Sequence, residues 1–323
     1  MITPSREGTM SEKMRAVRQD VTGGPDVLEL VEVDRPVPGP TEVLIRVHAA
    51  GVNPTDWKHR AGKGFLGDPP FTLGWDVSGT VEAVGVGVTI HKPGDEVFGM
   101  LRYPFGVGSH ADYVAAPSRT FVRKPANIDH VQAGALPLAA LTAWQSLVDT
   151  AGVREGRRVL VHAAAGGVGH LAVQIAKARG AEVLGTASGG KHGFLRRIGV
   201  DEPIDYTSVD FAEVAEDVDV VLDPIGGEYG TRSLRVLRPG GVLVSLLRNA
   251  PEGFAGAAED AGVRWEGLLV EPDHHAMRQI AALAEAGRLH AEIDAVFPLE
   301  EAARAHERGE TGHVTGKIVL TMV

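Results

Sequence analysis

The run Arg158-Val-Leu-Val-His-Ala-Ala-Ala-Gly-Gly-Val-Gly169, followed by His-Leu-Ala-Val-Gln-Ile-Ala-Lys-Ala-Arg179, constrains the fold more than any other part of the chain. A short β-branched strand enters a glycine turn that opens directly into a helix. Ala164, Gly166 and Gly169 fall at the spacing of the dinucleotide pattern G-x-G-x-x-G, with alanine in first place. The helix is apolar at Val168, Leu171, Ala172, Ile175 and Ala176, the i, i+3, i+4, i+7, i+8 stripe that faces a sheet. Gly166 lets the backbone approach a pyrophosphate, Gly167 and Val168 complete the turn, and Gly169 permits close helix–strand packing. The helix's unpaired N–H groups and dipole attract phosphate charge. Gly180 closes the helix as a left-handed cap.

Beyond Asp129, strands alternate with helices: strands at 158–162, 182–186, 218–222, 242–247 and 268–270, and helices at 133–149, 167–179, 191–198, 230–237 and 273–286. This predicts a doubly wound parallel sheet with right-handed crossovers. The stretch from Met14 to about Pro125 differs: short apolar or alternating runs (43–47, 77–84, 96–99) are broken by turns such as Pro38-Gly39-Pro40 and Pro93-Gly94-Asp95, which predicts a mostly antiparallel β domain. The C-terminal tail, a helix near 299–307 and a strand at 317–322, has no partner in the parallel sheet and is expected to return to the β domain.

The second strand of the alternating half bears on cofactor choice. A protein that reads a free ribose 2′-hydroxyl places a carboxylate at its end, whereas here it runs Gly185-Thr-Ala-Ser-Gly-Gly-Lys191. Ser188 and Lys191 can meet a 2′-phosphate, which favours NADP(H); the alternative is that Lys191 faces solvent at a helix start. The absence of cysteine removes disulfides, thiolate zinc sites and cysteine nucleophiles. An excess of 42 acidic over 32 basic residues opposes nucleic-acid or anionic-membrane partners. No apolar run approaches the ~18–20 residues of a bilayer span, and the polar start, Met1 to Lys13, reads as a loose tail, so a cytoplasmic protein is expected.

The chain resembles the zinc-independent branch of the medium-chain dehydrogenase/reductase family, the quinone oxidoreductases, zeta-crystallin-like proteins and enone reductases. The resemblance runs from Met14 to Val323 and rests on 50–62 (AGVNPTDWKHRAG), 74–85 (GWDVSGTVEAVG), Pro93-Gly-Asp-Glu-Val97, Leu141-Thr-Ala-Trp144, the 163–177 fingerprint and Gly316-Lys-Ile-Val-Leu320. It implies a GroES-like β-barrel domain from residues 1–127 and 288–323, a Rossmann domain from 128–287, and an active site between them. It further implies cofactor contacts at Thr142, Tyr206, Ile225, Leu246, Leu268 and Lys317, although Lys317 could equally be an exposed strand residue. A homodimer is implied too, with an edge strand such as 242–247 as its interface. Where zinc-dependent relatives place cysteine and histidine ligands this chain has Asn53 and Trp75, and Asp76 stands for a glutamate. Two of three expected ligands are therefore missing and no metal site is expected.

Without a Lewis acid, simple ketones are poor hydride acceptors. A quinone or an α,β-unsaturated carbonyl spreads the developing charge over its π system and needs mainly geometry, hydrogen-bond donors and a proton. The candidate catalytic residues are Asn53, as an amide donor, and Lys58, as oxyanion partner or general acid. Their alternatives are a turn residue before Pro54 and a surface lysine. Trp75 and Tyr103 are expected to wall the pocket, with the loops 101–109 and 249–262 shaping it. The competing readings are a non-catalytic NADPH-binding relative and a zinc-dependent alcohol dehydrogenase.

Overall fold

The computed structural model describes residues 12–105, 108–247 and 252–322. Most of the expected N-terminal tail, and residues 106–107 and 249–251 of the two pocket loops, lie outside the described residues. Strands β1 (Lys13–Gln19) and β2 (Glu29–Asp34) form an antiparallel ribbon, and β3 (Glu42–Val52) leads into helix α1 (Pro54–Arg60). Then come β4 (Phe71–Thr72), β5 (Asp76–Val84), β6 (Glu96–Met100), β7 (Tyr113–Pro117) and β8 (Phe121–Arg123). The helical run expected at 133–149 divides at Pro137 into α2 (His130–Ala135) and α3 (Pro137–Trp144), followed by a π-helical turn, because proline cannot continue a helix but suits its first turn.

The alternating half follows as β9 (Arg158–Val161), α4 (Gly169–Ala178), β10 (Glu182–Ala187), α5 (His192–Arg197), β11 (Glu202–Asp205), α6 (Phe211–Val214), β12 (Val218–Asp223), α7 (Glu228–Ser233), β13 (Leu237–Ser245), α8 (Phe254–Asp260), β14 (Arg264–Gly267) and α9 (His274–Glu285). The strands form one parallel sheet in the order β11-β10-β9-β12-β13-β14, the 3-2-1-4-5-6 arrangement of a Rossmann fold. Alternate residues serve opposite faces: Val159 and Val161 join one core cluster with Val220 and Val244, while Leu160 joins the other with Leu184 and Leu243.

Two strand expectations are corrected. The sixth strand is 264–267, and Leu268–Val270 lies beyond it, near the cavity described below. Strand β13 is not an edge, since β12 and β14 flank it; the edges are β11 and β14. The sequence reading also passed over β11, whose four residues include Pro203.

The chain closes with β15 (Ile293–Pro298), α10 (Ala302–Glu310) and β16 (Lys317–Thr321). β16 pairs antiparallel with β3, setting Ile318 against Val52 and Leu320 against Ala50, so the tail does return to the first sheet. That sheet runs β15-β16-β3-β5-β6-β8, with β7 also paired to β3.

The fingerprint turn explains its own composition. Ala163 takes a left-handed φ of 48° at the strand end. A Cβ on Gly169 would lie 2.2 Å from the Ala163 carbonyl oxygen and 2.8 Å from the Ala164 Cα, so only glycine allows α4 to start this close to β9. Ala164 can replace the usual first glycine because β10 presents Gly185 to it, where any added Cβ would stand 2.9 Å from the Ala164 methyl. Gly169→Ala should lower stability in urea unfolding by about 1–3 kcal/mol, since the clash is with backbone that cannot step aside. Gly190→Ala, where a Cβ meets nothing within 4 Å, should change it by under ~0.5 kcal/mol.

Candidate active site

A cavity of about 910 Å³ lies where the two sheets meet. One part is lined by the glycine turn, Gly166, Gly167, Val168 and Gly169, with Thr142, Leu246 and Leu268. The other belongs to the first half: Asn53, Thr55, Trp57, Lys58, His59, Lys63, Phe65 and Tyr103. Gly316 and Lys317 bridge them, for a Cβ on Gly167 would sit 3.5 Å from both the Gly316 oxygen and the Lys317 Cδ.

Beneath the cavity lies a polar cluster built from four elements. Asn53 caps α1 in a capping box: its backbone N–H donates to the Asp56 carboxylate at 2.6 Å. The Asn53 Nδ2 donates to Asp76 Oδ2 on β5 at 2.8 Å and, at the limit of contact, to the Gly51 carbonyl at 3.5 Å. Its Oδ1 accepts from Lys317 Nζ on β16. The ammonium also reaches the Val52 carbonyl at 3.4 Å and Asp76 Oδ2 at 3.5 Å. Asp76 Oδ1 accepts from the Leu138 N–H, in the first turn of α3, at 2.6 Å. Asp76 and Asp56 are fully buried and Lys317 is 3% exposed. Lys317 is thus no surface strand residue; a buried charge of this kind persists only because all its protons have acceptors.

This changes the reading of Asn53. Both its amide hydrogens and its oxygen are engaged inside the protein, so it positions Lys317 and Asp76 instead of offering a donor to a substrate. Lys58 lines the cavity mouth and is exposed. Trp75 is not a wall: it is completely buried, packed behind His59 at 5.0 Å and Tyr103 at 5.2 Å between ring centroids. Tyr103 does line the cavity, its hydroxyl 3.1 Å from Thr55 Oγ1. His59, which the sequence reading passed over, is held by the Thr55 carbonyl at 2.7 Å and by the Phe65 N–H, which donates to its Nε2 at 2.8 Å; burial lowers its pKa and favours the neutral ring. Nε2 is therefore an acceptor and Nδ1 carries the proton.

The expected cofactor residues separate into two groups. Gly166–Gly169, Thr142, Leu246, Leu268 and Lys317 meet at the cavity. The Thr142 hydroxyl is spent on the Leu138 carbonyl at 2.7 Å. Ala164 faces the sheet, fully buried. Ser188, Lys191 and Tyr206 stand outside the cavity, around the carboxyl ends of β10 and β11, where the Tyr206 N–H reaches the Ala187 carbonyl at 3.3 Å. Lys191 is not simply solvated: its Nζ donates to the Val314 carbonyl at 3.2 Å, fastening α5 to the loop before β16, and burial lowers its pKa. Ile225 is displaced from its expected place. The Asp223 side chain accepts from the Ile225 and Gly226 N–H groups at 2.9 Å, and the resulting turn presents Pro224 to the cavity, leaving Ile225 39% exposed.

The charge balance of the cluster is uneven, with two carboxylates to one ammonium. Burial, aided by repulsion from Asp76, pushes Asp56 up to about 7 despite the Asn53 N–H bond, and burial raises Asp76 as well despite Lys317 and Asn53. A carboxyl whose folded pKa lies above its unfolded value binds more protons when folded, so stability falls as pH rises between the two values. Between about pH 4 and pH 7, wild-type stability in urea should decline through this group. Asp56→Asn should flatten that decline measurably, and an unchanged slope would show that Asp56 ionises freely.

Residues 39–126 match the model of an alcohol dehydrogenase GroES-like domain, and residues 198–320 match a domain described as a zinc-binding dehydrogenase. The chain is 36% identical to an NADPH-dependent alkenal/one oxidoreductase of Arabidopsis thaliana over 99% of this chain and 82% of the relative. It is 37% identical to a 2-haloacrylate reductase of Burkholderia sp over 92% of this chain and 96% of that one. The solved structure of the quinone oxidoreductase from Coxiella burnetii superposes with a TM-score of 0.91 at 38% identity, covering 97% of this chain and all of the other.

Proposed function

Because the chain belongs to the medium-chain dehydrogenase/reductase family, among its quinone oxidoreductases and enone reductases, we propose that it reduces a quinone or an α,β-unsaturated carbonyl with NADPH and without a metal ion. The observation that carries this reading is the Lys317–Asn53–Asp76 cluster beneath the cavity floor. At the positions of the missing zinc ligands, the Asn53 oxygen already accepts from Lys317, Trp75 is an indole, and a bound ammonium already supplies the positive charge. A second cation beside it would be repelled. Among the described residues no group of three or more His, Asp or Glu side chains converges on a metal position. The residues do not fit zinc.

They do fit a dinucleotide. The glycine turn is bare of side chains where a Cβ on Gly167 would project toward Lys317, and the N-terminus of the ten-residue helix α4 aims N–H groups at it. Ser188, Lys191 and Tyr206, at the strand ends where the adenosine half lies in such folds, supply hydroxyl and ammonium donors for a 2′-phosphate. Bound there, NADPH supplies a hydride, which a conjugated acceptor receives at its β-carbon. Leu246, Leu268 and Thr142 line the cavity from the nucleotide half and Trp57, Phe65 and Tyr103 from the first half, apolar and aromatic surface suited to two flat groups. Lys58, open to water at the mouth, attracts charge, and water there provides the proton for the α-carbon. The homodimer belongs to this reading through the family, and among the described residues β14 is an edge strand of the parallel sheet, open to it.

The test is NADPH oxidation followed at its own absorbance with a small enone and a small quinone. Turnover with either supports the reading; tight binding without turnover supports the non-catalytic alternative. NADPH should be preferred over NADH, and Lys191→Ala should raise the KM for NADPH about fivefold, an effect near 1 kcal/mol, with little change for NADH. Equal use of both cofactors by the wild type would overturn the assignment of Ser188 and Lys191.

A further inference from the structure

Among the described residues, the charged side chains that line the cavity are Lys58, Lys63 and Lys317, with no carboxylate among them. This is a sharp local inversion in a chain of net charge −10. Lys317 is buried and its protons are engaged internally. Lys58 and Lys63 are exposed, and among the described residues neither forms an ion pair.

Local structure brings these two lysines to one place. Helix α1 ends in a Schellman turn: the Gly62 N–H donates to the His59 carbonyl at 2.9 Å and the Lys63 N–H to the Lys58 carbonyl at 2.8 Å, with Gly62 at a φ of 76°. The Lys63 backbone is thereby tied to the Lys58 carbonyl, and both residues line the cavity. The segment after it is pinned as well. A Cβ on Gly64 would lie 2.1 Å from the His59 ring, and the Phe65 N–H is bound to the His59 Nε2. The buried, neutral His59 thus fixes the loop that presents Lys63, a role distinct from proton transfer.

The surroundings define what the pair would hold. Trp57, Phe65 and Tyr103 give this end of the cavity an aromatic wall, suited to a flat conjugated body. The phosphates of a dinucleotide belong at the glycine turn, on the other half of the molecule, so they do not account for Lys58 and Lys63. From this we infer that the acceptor carries a carboxylate: the substrate class is an α,β-unsaturated carbonyl acid, its anionic group held by Lys58 and Lys63. The inference rests on the hydride-transfer reading above. In the step itself, one hydride, carrying both electrons, would pass from NADPH to the β-carbon and a proton from water would add at the α-carbon; the C=C π bond is consumed, NADP⁺ and hydroxide remain, and the carboxylate is unchanged.

The experiment compares trans-4-oxo-2-pentenoate with its methyl ester at saturating NADPH, in wild type and in the Lys58→Met/Lys63→Met double variant. The readout is the ratio of kcat/KM for acid over ester, in which any general effect of the substitutions on turnover divides out. We expect the wild-type ratio to exceed that of the double variant about five- to tenfold near 20 mM salt, as for two exposed ion pairs, and the gap to shrink at about 0.5 M. The Lys58→Arg/Lys63→Arg variant should keep most of the wild-type ratio. Equal ratios in wild type and the Met variant overturn the inference while leaving the reaction intact, provided the ester is reduced. Failure of both substrates with every variant would overturn the reaction reading and this inference together.

Discussion

A single buried ammonium organises this molecule. Lys317 enters on the last strand, beneath the glycine turn, and ends between Asn53 of the α1 cap and Asp76 of β5. Asp76 in turn holds the first N–H of α3. Four segments far apart in sequence meet at this point, and the cavity lies directly above. A charge so enclosed costs several kcal/mol to desolvate, which is tolerable only because amide, carbonyl and carboxylate acceptors surround it. The cluster therefore sets geometry: if the C-terminal strand shifted, the Gly167 backbone, the α1 cap and the start of α3 would all lose their common reference.

The same arrangement divides the cavity. One part is backbone-rich and glycine-lined, fit for phosphates; the other is aromatic and faces the mouth, fit for a planar acceptor. The cluster holds its own donors closed, so the acceptor is oriented by shape and by the mouth cations. Reduction of conjugated acceptors tolerates this, because their own π systems carry the developing charge. An isolated ketone would ask for a donor that Asn53 has already given to Asp76.

Much of the fold was legible because buried elements carry unbroken apolar patterns: a continuous run in β9, apolar on both faces, and a 3.6-residue stripe in α4. What was missed follows from physics that pattern reading does not see. β11 is four residues long and carries a proline; β14 alternates too weakly, with Arg264 and Glu266 flanking Trp265. In the site, the glycine turn was readable from spacing alone, and Asp56 could have been found from the Asn53-x-x-Asp56 capping pattern. The engagement of Asn53 was not, since its partners Asp76 and Lys317 lie 23 and 264 residues away. Nor could spacing tell that Trp75 stands behind His59, or that the Asp223 turn would present Pro224 in place of Ile225.

The most direct test of this account is a double-mutant cycle between Lys317 and Asp76, read by urea unfolding at neutral pH. If the ammonium holds the cluster, Lys317→Met alone should cost about 3–5 kcal/mol by leaving a buried carboxylate uncompensated, and adding Asp76→Asn should recover a substantial part, giving a coupling of about 1–3 kcal/mol. A single-variant loss under ~1 kcal/mol, or strictly additive effects, would contradict it.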